Sequence, residues 1–345
     1  MQKMVTVPRW VLVGGVTAVI LGFGTMGIVF ALDDRPSAQV AAPSAATEPP
    51  VNSPDVGAPD VGAPASPACS SGPREHRVHR ATSTDGLTWT FDDDPIVEQA
   101  SVPDLVVAPN GNLLLVFVDA SDPPESAAIM RSTDGGETFE RVDFSIEGLP
   151  ADTRVLDPNL VVLPDGRLRL YYFGIAVNVS ITSGEQHSVY SAISDDGVHF
   201  VQEGIAFEAP ALVDPDVFEV AGRWVMYVFG SEGTEVAASN DGTTFSAEGL
   251  LSIQQVGTTG PITLADGRLR LYGFEQTPNG ALVLYDSTDD GDTWEHVDGF
   301  TLELPTGTTA TDPQVVQLDD GSWQMVLKIA DIDPTCTPGS PRAAQ

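Results

Sequence analysis

The sequence of 345 residues predicts an all-β protein, a five-bladed β-propeller preceded by one N-terminal apolar helix. Three observations lead to this fold class. A Ser-x-Asp box followed by glycine and an aromatic residue occurs five times, and a unit of proline, strand, glycine turn and apolar strand also occurs five times. The 33 Gly and 27 Pro favour a turn-rich β domain over a helical one.

The N-terminal region contains an uncharged, mostly apolar run over residues 10–32, with basic residues before it and two aspartates after it. This run is long enough to cross a bilayer, and its flanking charges place the N-terminus inside and the rest of the chain outside. We therefore predict a cytoplasmic N-terminus over 1–8 and a transmembrane signal anchor over 9–32. A signal peptide cleaved after Ala31 is the alternative, which would make the protein secreted rather than anchored. Export is expected in both cases.

The segment that follows, 33–72, is rich in Pro, Ala and Ser and repeats Pro-Asp-Val-Gly-Ala directly. Because it has no amphipathic period, we interpret it as a disordered tether. The propeller is predicted over 73–336, and a flexible tail over 337–345.

The five boxes start 49, 62, 45 and 48 residues apart, which is the range of a propeller repeat. In each box the Ser and Asp oxygens can accept turn amides, and glycine can take a positive φ angle. The box aspartates are therefore predicted to be structural: Asp85, Asp134, Asp196, Asp241 and Asp289. No cofactor is expected, and a structural calcium ion at the boxes is the weaker alternative.

The phase of the repeat predicts how the ring closes. The domain begins with a box, which joins a third and a fourth strand, and ends with a unit that contains a first and a second strand. One blade is therefore built from both chain ends, and no strand edge is left unpaired. Cys69 and Cys336 both fall at this seam, and in an exported protein we predict a disulfide between them.

Residues on either side of the repeated proline indicate a site. The inner strands start on the face opposite to the boxes and converge on the axis. The position before the proline is occupied by Val102, Asp157, Asp214, Gly260 and Asp312. The position after it is occupied by Asp104, Asn159, Asp216, Ile262 and Gln314. Positions two apart in a strand face the same side, so we expect up to five carboxylates at one mouth, where like charges raise pKa values. Alternatively, each Asp before a proline simply caps a turn.

The boxes at 132–139 and 287–294 resemble the Asp-box (BNR) repeat of sialidases and related propellers. The segment 214–228 resembles an inner unit of glycoside hydrolase family 43 and its five-bladed relatives. The family 43 resemblance implies an inverting glycosidase with an Asp base, a second Asp that tunes the acid, and a Glu acid in a Glu-Gly-Pro sequence. It assigns the base to Asp157 and the tuning role to Asp214.

The general acid departs from this pattern, because Thr259 occupies the position where the resemblance places the Glu. Glu275, at the end of the second strand of the same blade, is the substitute candidate, with Glu232 and Glu125 as alternatives. The expected substrate-binding residues at the mouth are Asp104, Asp216, Asp312, Asn159 and Arg154.

Three functions remain open from the sequence. The first is an exported, membrane-tethered, carbohydrate-active propeller that hydrolyses or binds a neutral glycan, and if it is active it is an O-glycosidase. The second is a non-catalytic binding or scaffolding module at the cell surface. The third is an exo-sialidase-like enzyme, which would need three converging arginines that the sequence does not indicate.

The net charge of −33 bounds the partners. It repels phosphate backbones and anionic lipid headgroups, so we expect no nucleic acid partner and no membrane contact beyond the N-terminal segment. A carbohydrate ligand and a monomeric state are expected. The five histidines are dispersed, and no metal site is predicted.

Overall fold

The computed structural model describes residues 72–177, 186–230, 232–253, 255–257, 259–276 and 280–332. Within these ranges the protein has 24 strands in five sheets, and one 3₁₀ turn at Pro73–Glu75. The predicted five-bladed β-propeller is confirmed. A membrane-crossing helix, which would have to be long and apolar, does not occur among the described residues. The predicted anchor, almost all of the tether, the tail and both cysteines lie outside the described ranges and stay predictions.

Each blade is one sheet of the propeller. The chain begins in the closing blade with β1 (Arg77–Ser83), β2 (Thr88–Phe91) and β3 (Val97–Glu98). Blade 1 comprises β4 (Ala100–Val107), β5 (Leu113–Asp119), β6 (Ser126–Ser132) and β7 (Glu140–Val142). Blade 2 comprises β8 (Ser145–Glu147), β9 (Thr153–Val162), β10 (Leu168–Ala176), β11 (Gln186–Ser194) and β12 (His199–Pro210). Blade 3 comprises β13 (Val213–Val220), β14 (Arg223–Gly230), β15 (Gly233–Ser239) and β16 (Ser246–Leu250).

Blade 4 comprises β17 (Val256–Gly257), β18 (Ile262–Thr263), β19 (Leu269–Glu275), β20 (Leu282–Ser287) and β21 (Glu295–His296). The closing blade is completed by β22 (Thr301–Leu302), β23 (Thr308–Gln317) and β24 (Trp323–Asp331). Its order from the outside inwards is β22, β2, β1, β24 and β23. The antiparallel pairing of β1 with β24 runs from Arg77 opposite Ile329 to Ser83 opposite Trp323. Both chain ends therefore share one blade, as the phase of the repeat predicts.

Five apolar clusters hold the ring together, one at each junction between neighbouring blades. They arise because the second strand of every blade is mostly apolar and buried, so that both of its faces pack against neighbours. Tyr171, for example, is fully buried with Met226 between blades 2 and 3.

The five Ser-x-Asp turns share one hydrogen-bond pattern, of which the turn at Ser132 is an example. The Ser132 hydroxyl donates to Asp134 Oδ1 at 2.7 Å and accepts from the amide of Gly136 at 2.8 Å. The turns also join blades, because the Tyr171 hydroxyl of blade 2 donates to the carbonyl of Gly242 in the blade 3 turn at 2.6 Å. A Cβ atom at Gly242 would lie 3.1 Å from that hydroxyl oxygen, so this glycine serves both the positive φ angle and the contact between blades.

Candidate functional site

A β-bulge lies at the repeated proline in four of the five inner strands, on the face opposite to the Ser-x-Asp turns. The residue before the proline has a positive φ angle in all four: Val102 (45°), Asp157 (48°), Asp214 (52°) and Asp312 (52°). The extra residue interrupts the alternation of side chains that underlies the expectation of a single row. The contacts instead sort the polar residues into two sets, an axial ring and a rim cluster.

The axial ring consists of Asp104, Asn159, Asp216 and Gln314. The Asn159 amide group donates to Asp104 Oδ2 at 3.3 Å and to Asp216 Oδ1 at 3.1 Å. The Gln314 amide group donates to the same Asp216 oxygen at 2.9 Å. These bonds connect blade 1, blade 2, blade 3 and the closing blade through side chains at the axis.

Burial controls the charge of the axial ring. Asp104 and Asp216 are only 4% and 5% exposed. Burial raises the pKa of Asp104 to about 7. Burial, followed by the proximity of Asp104, raises the pKa of Asp216 to about 8. The predicted substrate-binding residues Asp104, Asn159 and Asp216 therefore bind each other, and at neutral pH the ring holds protons rather than two full charges.

The rim cluster consists of Asp157, Asp214, Asp312 and Lys328, and its three aspartates are half-buried. The backbone amide of Asp214 donates to Asp157 Oδ2 at 3.4 Å, which places the two residues side by side across the junction of blades 2 and 3. Lys328 Nζ lies 2.6 Å from Asp312 Oδ2. The structure thus brings together all three of the aspartates that precede the prolines.

Both central carboxyl groups of the rim cluster have raised pKa values. Burial raises the pKa of Asp157 to about 6, and the charge of Asp312 adds to the effect. Burial raises the pKa of Asp214 well above its usual range, and the charges of Asp157 and Asp312 raise it further. Neighbouring carboxyl groups whose pKa values are raised by burial and by each other's charge are the kind of groups that acid–base chemistry on a glycosidic bond uses.

Two residues near the rim cluster were not found by sequence reasoning. One is Lys328, which lies within β24 and belongs to no motif. The other is His187, whose buried ring donates from Nδ1 to the carbonyl of Leu212 at 2.7 Å, while no partner of its Nε2 atom lies among the described residues. His187 is close enough to Asp157 for a charge on its ring to lower the pKa of that carboxyl. The scarcity of lysine in the sequence was the one signal available for Lys328.

The candidate general acids lie apart from the rim cluster. Glu275 is exposed at the end of β19, and Glu232 is also exposed. Glu125 is 2.6 Å from Arg154 Nη1 in an ion pair, so Arg154 is engaged by the protein itself. Thr259 is 1% exposed and donates from Oγ1 to the Tyr272 carbonyl. Among the described residues, no glutamate forms a hydrogen bond or ion pair with the rim cluster.

The space left at the axis is small. The cavity has a volume of about 20 Å³ and is lined by Asp104, Asn159, Asp214, Asp216, Asp312 and Gln314. This volume accommodates about one water molecule and is too small for a sugar ring. Because Asp214 and Asp312 of the rim cluster also line it, the axial ring and the rim cluster border the same space.

The structure gives no support to calcium at the box turns, because the box carboxylates are engaged within the turn. Both oxygens of Asp134 accept hydrogen bonds from Thr138 or Ser132. In the described part of the chain, no group of three or more acidic or His side chains is arranged to hold a metal ion.

The arginines needed by a sialidase-like site are placed elsewhere. Arg169 pairs with Glu203 at 2.7 Å and donates to the Asp241 carbonyl of a box turn. Arg270 pairs with Asp286 at 2.8 Å. Arg169 therefore links blade 2 to a turn of blade 3, and Arg270 forms its ion pair within blade 4.

Comparisons with known proteins agree with the fold. No protein-family model matches the chain, and no curated protein is similar to it in sequence. A family 117 glycoside hydrolase produced by the marine bacterium Zobellia galactanivorans has a similar structure, with a TM-score of 0.50 and 13% identity over 77% of this chain and 94% of that chain. The α-L-arabinanase of Penicillium chrysogenum, complexed with arabinobiose, has a TM-score of 0.49 and 13% identity over 76% of this chain and 99% of that chain. An α-L-arabinofuranosidase from Clostridium thermocellum has a TM-score of 0.48 and 16% identity over 65% of this chain and 80% of that chain. The chain is therefore similar in fold to the family 117 glycoside hydrolase.

Proposed function

We propose that this protein is a carbohydrate-active propeller that binds a neutral glycan at the rim cluster and hydrolyses it. The observation that carries the proposal is the contact of Asp157 with Asp214, two half-buried residues whose carboxyl groups both have raised pKa values. The likeness of fold to a family 117 glycoside hydrolase supports this choice of substrate class.

The roles follow from the protonation states. With a pKa of about 6, Asp157 is mostly ionised at neutral pH and can take the proton of an attacking water. Burial and the charges of Asp157 and Asp312 raise the pKa of Asp214, which favours its protonated form, and a protonated Asp214 can donate a hydrogen bond to a sugar hydroxyl or tune the acid. Glu275, at the end of the second strand of blade 4, remains the candidate that protonates the leaving oxygen.

The test is a hydrolysis screen on the full-length protein in detergent. Neutral polysaccharides and aryl glycosides are incubated at pH 6 to 7, and released reducing ends are measured. We expect Asp157→Asn to lower the rate at least about a hundredfold, as removal of a general base does. Asp165→Asn is the matched control, because Asp165 lies on the opposite face in an exposed pair with Arg167. If the wild-type protein neither releases nor binds any sugar, the proposal is wrong.

A non-catalytic binding module is the second candidate, and one observation favours it. Thr259 occupies the slot of the expected acid, and its side chain is turned into the blade. A glycan array separates the two functions: binding by the wild-type protein without hydrolysis of the bound sugar identifies a binding module. If both the wild-type protein and Asp157→Asn ignore every sugar, the partner is a protein instead.

We also propose that the chain is exported and anchored with the propeller outside, because the apolar run at 10–32 can cross a bilayer. The mass of the mature protein tests this, since an intact N-terminus indicates an anchor and a start after Ala31 indicates secretion.

A further inference from the structure

We infer that Lys328 is a positioning residue for the rim cluster: its ammonium group holds Asp312 and supplies the positive charge that lets Asp157 ionise beside Asp214. This inference rests on the proposed function and deepens it, because it assigns the residue that adjusts the acid–base pair. Lys328 is not proposed to touch the substrate.

Lys328 occupies a strand position that is apolar in three other blades. In each bulged inner strand, the residue two before the proline pairs with a residue of the second strand. That partner is apolar in the other three blades: Val118 opposite Ser101, Phe173 opposite Leu156, and Phe229 opposite Val213. In the closing blade the corresponding partner is Lys328, opposite Thr311. A charged group therefore occupies a position that otherwise contributes apolar packing, and such burial is costly unless the charge has a partner.

The cation at this position is a lysine in a chain whose basic residues are almost all arginine. The chain contains 16 basic residues, of which only Lys3 and Lys328 are lysines. The arginines Arg169 and Arg270 use their planar groups to bridge carboxylates and backbone carbonyls. Lysine instead offers a compact charge on a flexible stem, which suits a narrow gap among several carboxylates.

The ion pair between Lys328 and Asp312 is largely shielded from solvent. Lys328 Nζ lies 2.6 Å from Asp312 Oδ2, and the two side chains are only 19% and 14% exposed. At such exposure a charge is screened weakly by solvent, so it acts on neighbouring groups as well. Lys328 lowers the pKa of both Asp157 and Asp214, against burial and their mutual repulsion.

The charged groups around the pair are few. Asp157 faces Asp214, Asp312 and Lys328, together with His187 from β11. Asp214 faces Asp157, Asp312 and Lys328, together with Asp216 of the axial ring. Among these groups, Lys328 is the cation that forms an ion pair with a carboxylate of the rim cluster. Removing it takes that counter-charge away from the aspartates.

The experiment follows the carboxyl groups directly. The protein is labelled with ¹³C at the aspartate side chains, and the signals of Asp157 and Asp214 are assigned with Asn variants and titrated by NMR. Lys328→Met keeps the length of the side chain and removes its charge. We expect the titration midpoint of Asp157 to rise by roughly one pH unit. Lys328→Arg should restore most of the wild-type midpoint. An unchanged midpoint in Lys328→Met overturns the inference.

Two further variants keep the test decisive. Arg77→Met removes a cation of the same blade that pairs with exposed Asp331, and it should leave both midpoints in place. If Lys328→Met does not fold, Lys328→Gln replaces it, because it also removes the charge but keeps a polar group beside Asp312. The Asp157 midpoint should again rise, and an unchanged midpoint again overturns the inference.

The titration needs no substrate, so its outcome is separate from that of the proposed function. Shifted midpoints in a protein that hydrolyses nothing would leave the role of Lys328 intact and remove the glycosidase. If Lys328→Met leaves the midpoints unchanged while Asp157→Asn abolishes hydrolysis, the proposed glycosidase function stands and the role of Lys328 is overturned.

Discussion

The carboxylate of Asp104 in blade 1 accepts a hydrogen bond of 2.6 Å from the backbone amide of Leu160 in blade 2. The same link recurs around the axis. Asn159 Oδ1 of blade 2 accepts from the amide of Val217 in blade 3 at 3.0 Å, and Asp216 of blade 3 accepts from the amide of Gly260 in blade 4. In three successive blades the residue after the proline thus binds the inner strand of the next blade.

The burial of Asp104 and Asp216 predicts that the stability of the propeller falls as the pH rises from acid to neutral. The folded-state pKa values of Asp104 and Asp216 are raised to about 7 and about 8, above the value near 3.9 expected in the unfolded chain. Their contribution is fully present below about pH 4 and is lost as the pH rises through the folded-state values, with a slope of at most about 1.4 kcal/mol per pH unit for each group. Thermal unfolding followed by circular dichroism between pH 5 and 9 measures this.

Asp216→Asn tests the origin of that pH dependence. An amide does not titrate, so we expect the decline in melting temperature above pH 5 to become clearly shallower. Asp298→Asn, at a fully exposed position, is the control and should keep the wild-type slope. Equal slopes in all three proteins would show that the axial ring does not control the pH dependence.

Asn159 is bonded to both aspartates of the axial ring and to the next blade, so its replacement should be costly. Asn159→Leu keeps a similar volume but leaves the buried Val217 amide without an acceptor and removes a donor from both Asp104 and Asp216. We expect a loss of roughly 2–4 kcal/mol in the free energy of unfolding, measured with urea. Asn159→Asp preserves the acceptor and should cost less near pH 5. A loss below about 1 kcal/mol for the leucine variant would mean that the ring contributes little to stability.

The box turns predict a stability effect that leaves the site unchanged. Ser132→Ala removes the acceptor of the buried Gly136 amide, for which we expect a loss of roughly 1–3 kcal/mol in urea unfolding. Ser246→Ala, at an exposed position of β16, should change stability by less than about 0.5 kcal/mol. Glycan binding and hydrolysis should be the same in both variants. A change in ligand binding by the folded Ser132→Ala protein would contradict a purely structural role.

The architecture could be predicted from the sequence because short motifs, each of which determines its own local structure, are repeated along the chain. Each box encodes its own turn through residues within eight positions, and the order of boxes and proline units fixes which chain ends share a blade. The pairing of β1 with β24 follows from that order alone. Such signals act over short distances, where the chemistry of Ser, Asp, Gly and Pro is decisive.

The site could be predicted only in part, because its arrangement depends on contacts between blades. The aspartates beside the prolines were visible, but the bulge that separates Asp157 from Asn159 arises in the pairing of β9 with β10. Lys328 and His187 lie in ordinary strand sequence, and only the packing of neighbouring blades brings them to the aspartates. The small volume of the axial cavity likewise results from side chains of four blades that meet at one point.

His187 contacts the surroundings of both central aspartates. Its ring donates to the carbonyl of Leu212, two residues before Asp214, and lies 4.7 Å from the ring of Phe173 in a tilted arrangement. A charge on the same ring lowers the pKa of Asp157. His187→Phe should therefore destabilise the propeller by roughly 1–3 kcal/mol, because it leaves a buried carbonyl unpaired, and it should raise the NMR titration midpoint of Asp157. His187→Gln can still donate to Leu212, so it should recover stability while the Asp157 midpoint stays raised. If both variants keep the wild-type midpoint, His187 acts on the packing of blades 2 and 3 alone and has no part in the acid–base pair.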